Sequence, residues 1–225
     1  MKFKMIKIIS LVLFGFFSIN AAANAIEIPR IVNWDNLVPE MAPIEYPFNT
    51  LTSEQRSDIE FLISTRDMRQ QGIISKVDEI FEEGVEIRFK LLRQGIAVDK
   101  LLASYDRFAD EIEKRNRMAN HKLEGQLIRI PGYALPLEHK DLGVKDLLLV
   151  PYVGACIHVP PPPANQIVYV RLKDAHILES VYEPVWITGR VSLIVSNKSL
   201  SFVDGNAGIE TAYTLDGIKI EPYVE

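Results

Sequence analysis

The stretch QLIRIPGYALPLE, residues 126–138, marks the point where the chain changes from helical to β-rich patterning. Four further short runs rich in apolar and β-branched residues follow: DLLLVPY (146–152), QIVYVRL (166–172), PVWITGRVSLIV (184–195) and GIETAYTLDGIKIEPY (208–223). Turn-forming residues separate them, which is typical of strands. Five to six short strands in about 100 residues predict a small closed or half-closed barrel. An OB-like barrel fits this number of strands, and an SH3-like barrel or a small sandwich fits nearly as well.

Two glycines interrupt the strand-like runs. Gly132 lies inside the first run and Gly189 inside the fourth. A glycine within a strand often marks a bend or a bulge. We therefore expect the barrel strands to bend at both positions.

The segment before the barrel has helical patterning. TSEQ (52–55) is a capping box, with Thr52 as N-cap and Gln55 at N3. Gly95 is a natural end for a second helix, and Asp99 is expected to cap a third. Apolar residues recur at helical spacing, namely Ile59, Leu62 and Ile63, then Val77, Ile80, Phe81, Val85, Phe89 and Leu92, then Leu101, Leu102, Tyr105, Phe108, Ala109 and Ile112. The predicted fold class is α+β, an N-terminal helical segment followed by a small OB-like β-barrel.

The first 25 residues resemble a secretory signal peptide. Lys2, Lys4 and Lys7 precede a short apolar run over residues 8–19, and Ala23-Asn24-Ala25 matches a signal peptidase site. The apolar run is too short to span a bilayer, although an uncleaved anchor is the alternative. We predict a periplasmic protein whose mature chain starts at Ile26.

Proline-dotted residues 26–50 form the next predicted unit, an extended arm. We expect Ile31, Trp34 and Leu37 to pack on the body of the protein, and a disordered leader is the alternative. The predicted organisation is therefore a signal peptide (1–25), the arm (26–50), a helical segment (51–122) and the barrel (123–225).

The charge balance argues against a nucleic-acid partner. The formal net charge is −5, and loss of the three lysines in the first 25 residues would change it to −8. Nucleic-acid binding needs a basic face, and anionic membrane surfaces are disfavoured for the same reason.

The block GACIHVPPPPANQ, residues 154–166, holds the single cysteine of the sequence. In an extended segment Cys156 and His158 would lie on one face. A thiolate and an imidazole can bind zinc or copper, and His139 is the candidate third ligand. The same pair could instead serve as a nucleophile and its base, or have a purely structural role.

Four prolines follow that pair. They favour polyproline II, which forms either a strap across the barrel or a ligand for an aromatic groove. The candidate partner-binding residues are Tyr133, Pro136, Tyr152, Pro160, Pro161, Pro162, Pro163, Asn165 and Gln166.

Several of these motifs together resemble an uncharacterised family of exported Gram-negative proteins, classed as a domain of unknown function. The resemblance rests on GYALPLE (132–138), LLLVPYVGACIHVPPPPANQIVYV (147–170) and PVWITGRV (184–191), with VNWDNLVP (32–39) as a weaker match. It covers about residues 125–223. It implies an OB-type barrel and an association with envelope ABC transporters of the macrolide-export type in zinc-responsive gene clusters.

The sequence thus favours a non-enzymatic periplasmic accessory protein with an envelope protein as partner and zinc as a candidate cofactor. A metal- or thiol-dependent enzyme that uses Cys156 and His158 is the first alternative. A purely structural envelope protein is the second.

The zinc hypothesis predicts a difference between the wild type and the double variant Cys156→Ser, His158→Ala. After anaerobic purification, elemental analysis should find bound zinc in the wild type and much less in the variant, because two ligands are lost. Equally negligible zinc in both proteins would contradict it.

Overall fold

A computed structural model describes residues 27–137, 143–155, 161–202 and 205–224. Three helices, α1 (Ser53–Gln70), α2 (Glu79–Arg93) and α3 (Val98–Asn116), follow a short strand β1 (Arg30–Ile31). The strands after them are β2 (Leu127–Pro136), β3 (Val144–Val150), β4 (Val168–His176), β5 (Glu183–Ser192), β6 (Ser196–Phe202), β7 (Gly205–Thr211) and β8 (Tyr213–Pro222). Short 3-10 helices lie at Trp34–Leu37, His121–Leu123 and Ala164–Gln166.

Five strands close into a barrel in the order β2-β3-β4-β8-β5, with β5 pairing back to β2. β4 and β8 run parallel, and the other barrel pairs are antiparallel. This order and these directions are those of an OB-type Greek-key barrel. The predicted fold class, α+β with a small barrel after the helices, is confirmed.

The barrel interior is filled by alternate residues of each strand, because successive side chains point to opposite faces. From β3 the inward residues are Leu147 and Leu149, and from β4 they are Val168, Val170 and Leu172. They pack with inward residues of β2, β5 and β8 in one apolar cluster. The interior of the barrel is therefore a packed apolar core.

The two glycines predicted as bends have steric roles. A Cβ on Gly189 would lie 2.5 Å from the Asp216 carbonyl oxygen, and the β5–β8 register shifts between Thr188 and Gly189. A Cβ on Gly132 would lie 2.9 Å from the Trp34 ring. The bulge at Gly189 confirms the prediction there, while Gly132 lets the arm approach the barrel closely.

The arm packs on the barrel through two of the three side chains predicted to do so. β1 pairs in parallel with the first half of β2, through Arg30 and Ile31. Strand alternation then leaves Ile31 66% exposed and buries Val32 instead, so the predicted packing of Ile31 is wrong. Leu37 is buried and Trp34 packs against the barrel core, as predicted.

The helix ends agree with the sequence at two points and differ at one. Thr52 and Gln55 form the capping box that begins α1, and Gly95 follows α2 with φ +80°. The predicted N-cap Asp99 is wrong, because Ala97 is the N-cap and α3 begins at Val98. Asp99 lies in the first turn of α3, where its carboxylate binds Arg88 at 2.6 Å. A negative charge at this position is also stabilised by the positive end of the helix dipole.

The three helices share a separate and smaller apolar cluster. Its buried members are Phe48, Ile59, Leu62, Ile63, Leu91 and Val98. Lys90, near the end of α2, binds Glu54 at 2.7 Å and Asp58 at 2.8 Å near the start of α1, as expected for two antiparallel helices. Phe48 of the arm stacks on Tyr105 of α3 with ring centroids 5.7 Å apart.

Hydrogen bonds join the helical segment to the barrel at a junction formed by Asn120, Asn165, Gln166 and Tyr213. The Asn165 side-chain amide donates to the carbonyls of Arg115 and Met118 at 2.9 and 3.1 Å. Arg115 lies in the last turn of α3 and Met118 lies two residues beyond the helix, and the Arg115 carbonyl also accepts the Met118 backbone N–H at 3.0 Å. Gln166 donates to the Trp34 carbonyl at 2.9 Å.

Tyr213 completes the junction from β8. Its hydroxyl accepts from the Asn120 backbone N–H at 2.5 Å and donates to the Leu37 carbonyl. Burial raises the pKa of Tyr213, which keeps the hydroxyl protonated as a donor.

We predict that Tyr213→Phe destabilises the protein by about 1–3 kcal/mol, because it leaves a buried N–H and a buried carbonyl without their partner. Tyr223→Phe is the matched control, since Tyr223 is 41% exposed. Urea unfolding measures both. Equal unfolding midpoints for the two variants would show that the Tyr213 hydroxyl does not hold the junction.

Candidate functional site

A cleft of about 650 Å³ opens between the three helices, and we call it the helix cleft. Its volume lies within the range of small-molecule sites. It is lined from α1 by Leu62, Thr65, Arg66, Arg69 and Gln70, from α2 by Phe81, Gly84, Val85 and Arg88, and from α3 by Leu102. Apolar side chains and three arginines thus share one concave surface.

Gly84 sets the spacing of α1 and α2 beside the cleft. A Cβ added there would lie 3.4 Å from Thr65 Cγ2 and 3.8 Å from Leu62 Cδ2. Gly84 and Thr65 are both buried, so the helices are in close contact at this point. The Thr65 hydroxyl is also buried, and it has no hydrogen-bond partner in the described part of the chain.

The three arginines differ in how they are held. Arg66 pairs with Asp106 of α3 at 2.9 Å and with Asp67 at 3.0 Å. Burial alone would lower the pKa of the Arg66 guanidinium, but hydrogen bonds with Asp106 and Asp67 raise it overall. Arg88 pairs with Asp99, as described above.

Arg69 is the arginine best placed to receive an anion. Its guanidinium carbon lies 5.2 Å from the centroid of the Phe81 ring. Among the residues that the structure describes, no carboxylate lies within ion-pair distance of it. An arginine held on an aromatic face keeps its fork of N–H donors available for a carboxylate or a phosphate.

An apolar stripe on α2 begins at Val85 in the cleft lining and runs towards the C-terminal end of that helix. Val85, Phe89 and Leu92 lie at i, i+4 and i+7, on one side of the helix, and are 38%, 56% and 44% exposed. The sequence shows this stripe but does not show what it packs against. In the structure Leu91 and Gly84 face the other helices, while the stripe faces outward.

The face at which OB-type barrels bind ligands is covered in this chain. That face belongs to the second and third barrel strands, here β3 and β4. Their outward residues Leu148, Val150 and Tyr169 pack in a second apolar cluster with Ile209 of the β6–β7 hairpin. Lys198 of the same hairpin lies 3.7 Å from the Tyr169 ring centroid.

The predicted partner-binding residues lie in different elements and differ in how far they are buried. Pro136 is buried in β2, and Tyr133 packs against the second apolar cluster. Tyr152 is 44% exposed in the turn after β3. Partner binding by these three residues stays a prediction.

The proline run leads directly into the junction. Pro162 is buried, while Pro161 and Pro163 are exposed, and Pro163 is the N-cap of the 3-10 helix Ala164–Gln166. Asn165 is 3% exposed, so its side chain is used within the chain, and Gln166 contacts the arm. Pro160 lies outside the described residues.

The predicted metal ligands Cys156, His158 and His139 also lie outside the described residues, so the zinc site stays a prediction. Over residues 27–137, 143–155, 161–202 and 205–224, no group of three or more His, Cys, Asp or Glu side chains is placed to hold a metal ion. No helix in those ranges is long and apolar enough to cross a bilayer.

Comparison with known families matches residues 34–222 to DUF3299, which is described as a protein of unknown function. The chain belongs to the DUF3299 family. A DUF3299 family protein from Pseudomonas aeruginosa PAO1, known from a crystal structure, is 24% identical. The match covers 88% of this chain and 98% of that one, with a TM-score of 0.45. None of the curated proteins matches the chain.

The DUF3299 match includes the helices, whereas the sequence resemblance started at about residue 125. The helix cleft is therefore part of the family region. Sequence reasoning named none of the cleft arginines, because charged residues interleaved along helices usually form a solvated surface. The signal that could have found them is their spacing, since Arg66 and Arg69 lie at i and i+3 beside an apolar face.

Tyr169, on the covered face of the barrel, should make the stability of the protein depend on pH. Burial, together with the hydrogen bond to Asp146 at 2.5 Å, raises the pKa of Tyr169 to about 12. Because the pKa is higher in the folded state than in the unfolded state, protonated Tyr169 contributes to the free energy of unfolding. This contribution is complete below about pH 10 and is lost as the pH rises towards 12. Urea unfolding of the wild type should therefore show a steep loss of stability across that range.

Tyr169→Phe should be less stable than the wild type at pH 8 and should lose less stability between pH 10 and 12. Tyr152→Phe is the control, since that side chain is largely exposed. Parallel pH profiles for the wild type and Tyr169→Phe would contradict the assignment.

Proposed function

We propose that this DUF3299 protein is a non-enzymatic accessory protein of the cell envelope that binds its target through the helix cleft, with the barrel as scaffold. The observation that carries the proposal is the cleft itself. It combines an apolar floor, three guanidinium groups and an adjoining exposed stripe on α2. Large exposed apolar surfaces next to a cleft are typical of binding sites.

The chemistry of the lining supports binding over catalysis. Guanidinium groups hold anions but do not exchange protons near neutral pH. The lining carries one hydroxyl, that of Thr65, and its oxygen is buried. The remaining lining residues supply shape and charge rather than a nucleophile or a general base.

The envelope location rests on the first 25 residues, which have the pattern of a cleaved signal peptide. On the basis of the family resemblance, we propose further that the protein supports a metal-linked envelope ABC transport system and that its partner is an envelope protein. A zinc site at Cys156 and His158 would be a second, separate property of the barrel. It is tested by the metal analysis described above.

The location is tested by fractionation and intact mass. The full chain, expressed in a Gram-negative host, should be recovered from the periplasm with Ile26 at its N-terminus. Recovery in the cytoplasm with the first 25 residues still attached would contradict the envelope proposal.

Binding through the helices is tested by photocrosslinking in cells. A p-benzoylphenylalanine at position 89, in place of Phe89 on α2, should form adducts on irradiation, because Phe89 is 56% exposed one turn after Val85, which lines the cleft. The same residue at position 218, in place of Ile218 on β8, is the matched control, since Ile218 is 62% exposed on the barrel.

Adducts at position 89 but not at position 218 support the proposal, whether the captured molecule is a protein or a lipid. The proposal fails when position 218 captures a target and position 89 does not. It also fails when both positions give the same background.

A further inference from the structure

We propose that the helix cleft is a site for a single-chain anionic amphiphile, a long-chain carboxylate, with its head group on the arginines and its acyl chain along α2. This inference rests on the proposed binding function of the cleft and names its ligand class. Three features support it: the cationic side chains of the cleft lining, the guanidinium of Arg69, which has no ion-pair partner among the described residues, and the apolar path along α2.

The charged side chains in the cleft lining are all cationic, and two of the three are paired with carboxylates outside the lining. The chain has a formal net charge of −5, yet each of the three charged residues that line the cleft is an arginine. Ion pairs with exposed partners contribute little to stability, and Asp99 is 79% exposed beside Arg88. An incoming carboxylate competes with such a partner at small cost.

Arg69 supplies the head-group contact. Its guanidinium carbon lies over Phe81 at 5.2 Å, and the described residues leave it without an ion-pair partner. A guanidinium binds a carboxylate with two parallel hydrogen bonds. Arg66, one turn earlier on α1, adds positive charge to the same rim.

The path for the acyl chain begins at Phe81 and continues over Val85 to Leu92. Leu92 lies 11 positions after Phe81 on α2, a distance of about 17 Å along the helix axis at about 1.5 Å per residue. Leu62 of α1 and Leu102 of α3 close the inner side of the cleft. Val85 and Leu92 are 38% and 44% exposed, so a bound chain would remove apolar surface from water.

Isothermal titration of the mature full chain tests the inference, with straight-chain carboxylates of 8 to 14 carbons used below their critical micelle concentrations. Each added methylene should lower Kd about fourfold, as expected for burial of one CH₂ group, until the chain fills the cleft. Dodecyl trimethylammonium and dodecyl maltoside, at the same chain length, should bind at least tenfold more weakly than dodecanoate.

Two arginine variants distinguish a specific contact between Arg69 and the head group from a general effect of losing one positive charge. Arg69→Gln should weaken dodecanoate binding about tenfold or more, as expected for the loss of a charge-assisted hydrogen-bond pair, and should leave dodecyl maltoside unchanged. Arg93→Gln, at an exposed position on α2 outside the cleft lining, is the matched control and should bind as the wild type does. Circular dichroism confirms that both variants are folded.

Equal affinity for the anionic, cationic and uncharged amphiphiles would overturn the inference, and so would equal weakening by the two arginine variants. The absence of binding to any amphiphile, with protein adducts still forming at position 89, would overturn the ligand class and leave the proposed function intact. Tight binding of an acidic amphipathic peptide, with no carboxylate binding, would have the same meaning.

Discussion

The side-chain amide of Asn165 is the interaction on which the arrangement of the two parts depends. It follows the proline run, is buried, and donates to two carbonyls at the end of α3. A buried amide donor without an acceptor costs about 1–3 kcal/mol, so the Asn165 side chain favours one position of the end of α3 against the barrel. The prolines fix the approach of the chain to Asn165, since their backbone dihedrals have little freedom.

The position of α3 in turn shapes the cleft. Leu102 closes its inner side, Asp106 orients Arg66, and Asp99 holds Arg88. A residue of the barrel therefore controls a surface of the helices, although they lie far apart in sequence. This coupling explains how a packed barrel, whose usual ligand face is covered by its own hairpin, can support a binding site elsewhere.

The sequence predicts the barrel well because strand alternation and turn residues are local signals. The capping box at Thr52 and the helix end at Gly95 are equally local and are confirmed. The predictions for Ile31 and Asp99 are wrong because a shift of one residue along a strand reverses which side chain faces inward, and a shift of two residues changes which residue caps a helix.

The candidate site was less predictable for a different reason. Periodicity identifies the apolar face of α2, but it does not tell whether another element covers Val85, Phe89 and Leu92. Likewise, the sequence block that contains Asn165 indicated a motif for binding a partner. In the structure the Asn165 side chain instead binds the distant end of α3 in the same chain. Such contacts are set by tertiary structure, which no local pattern encodes.

The most direct test of the account is to map where a bound long-chain carboxylate lies. A carboxylate with a photoactivatable diazirine in its chain is irradiated with the whole protein, and the labelled peptides are identified by mass spectrometry. The account predicts label on residues 62–70 and 81–92, removed by excess dodecanoate. Label confined to the barrel strands, or label on the helices that dodecanoate does not displace, would contradict it.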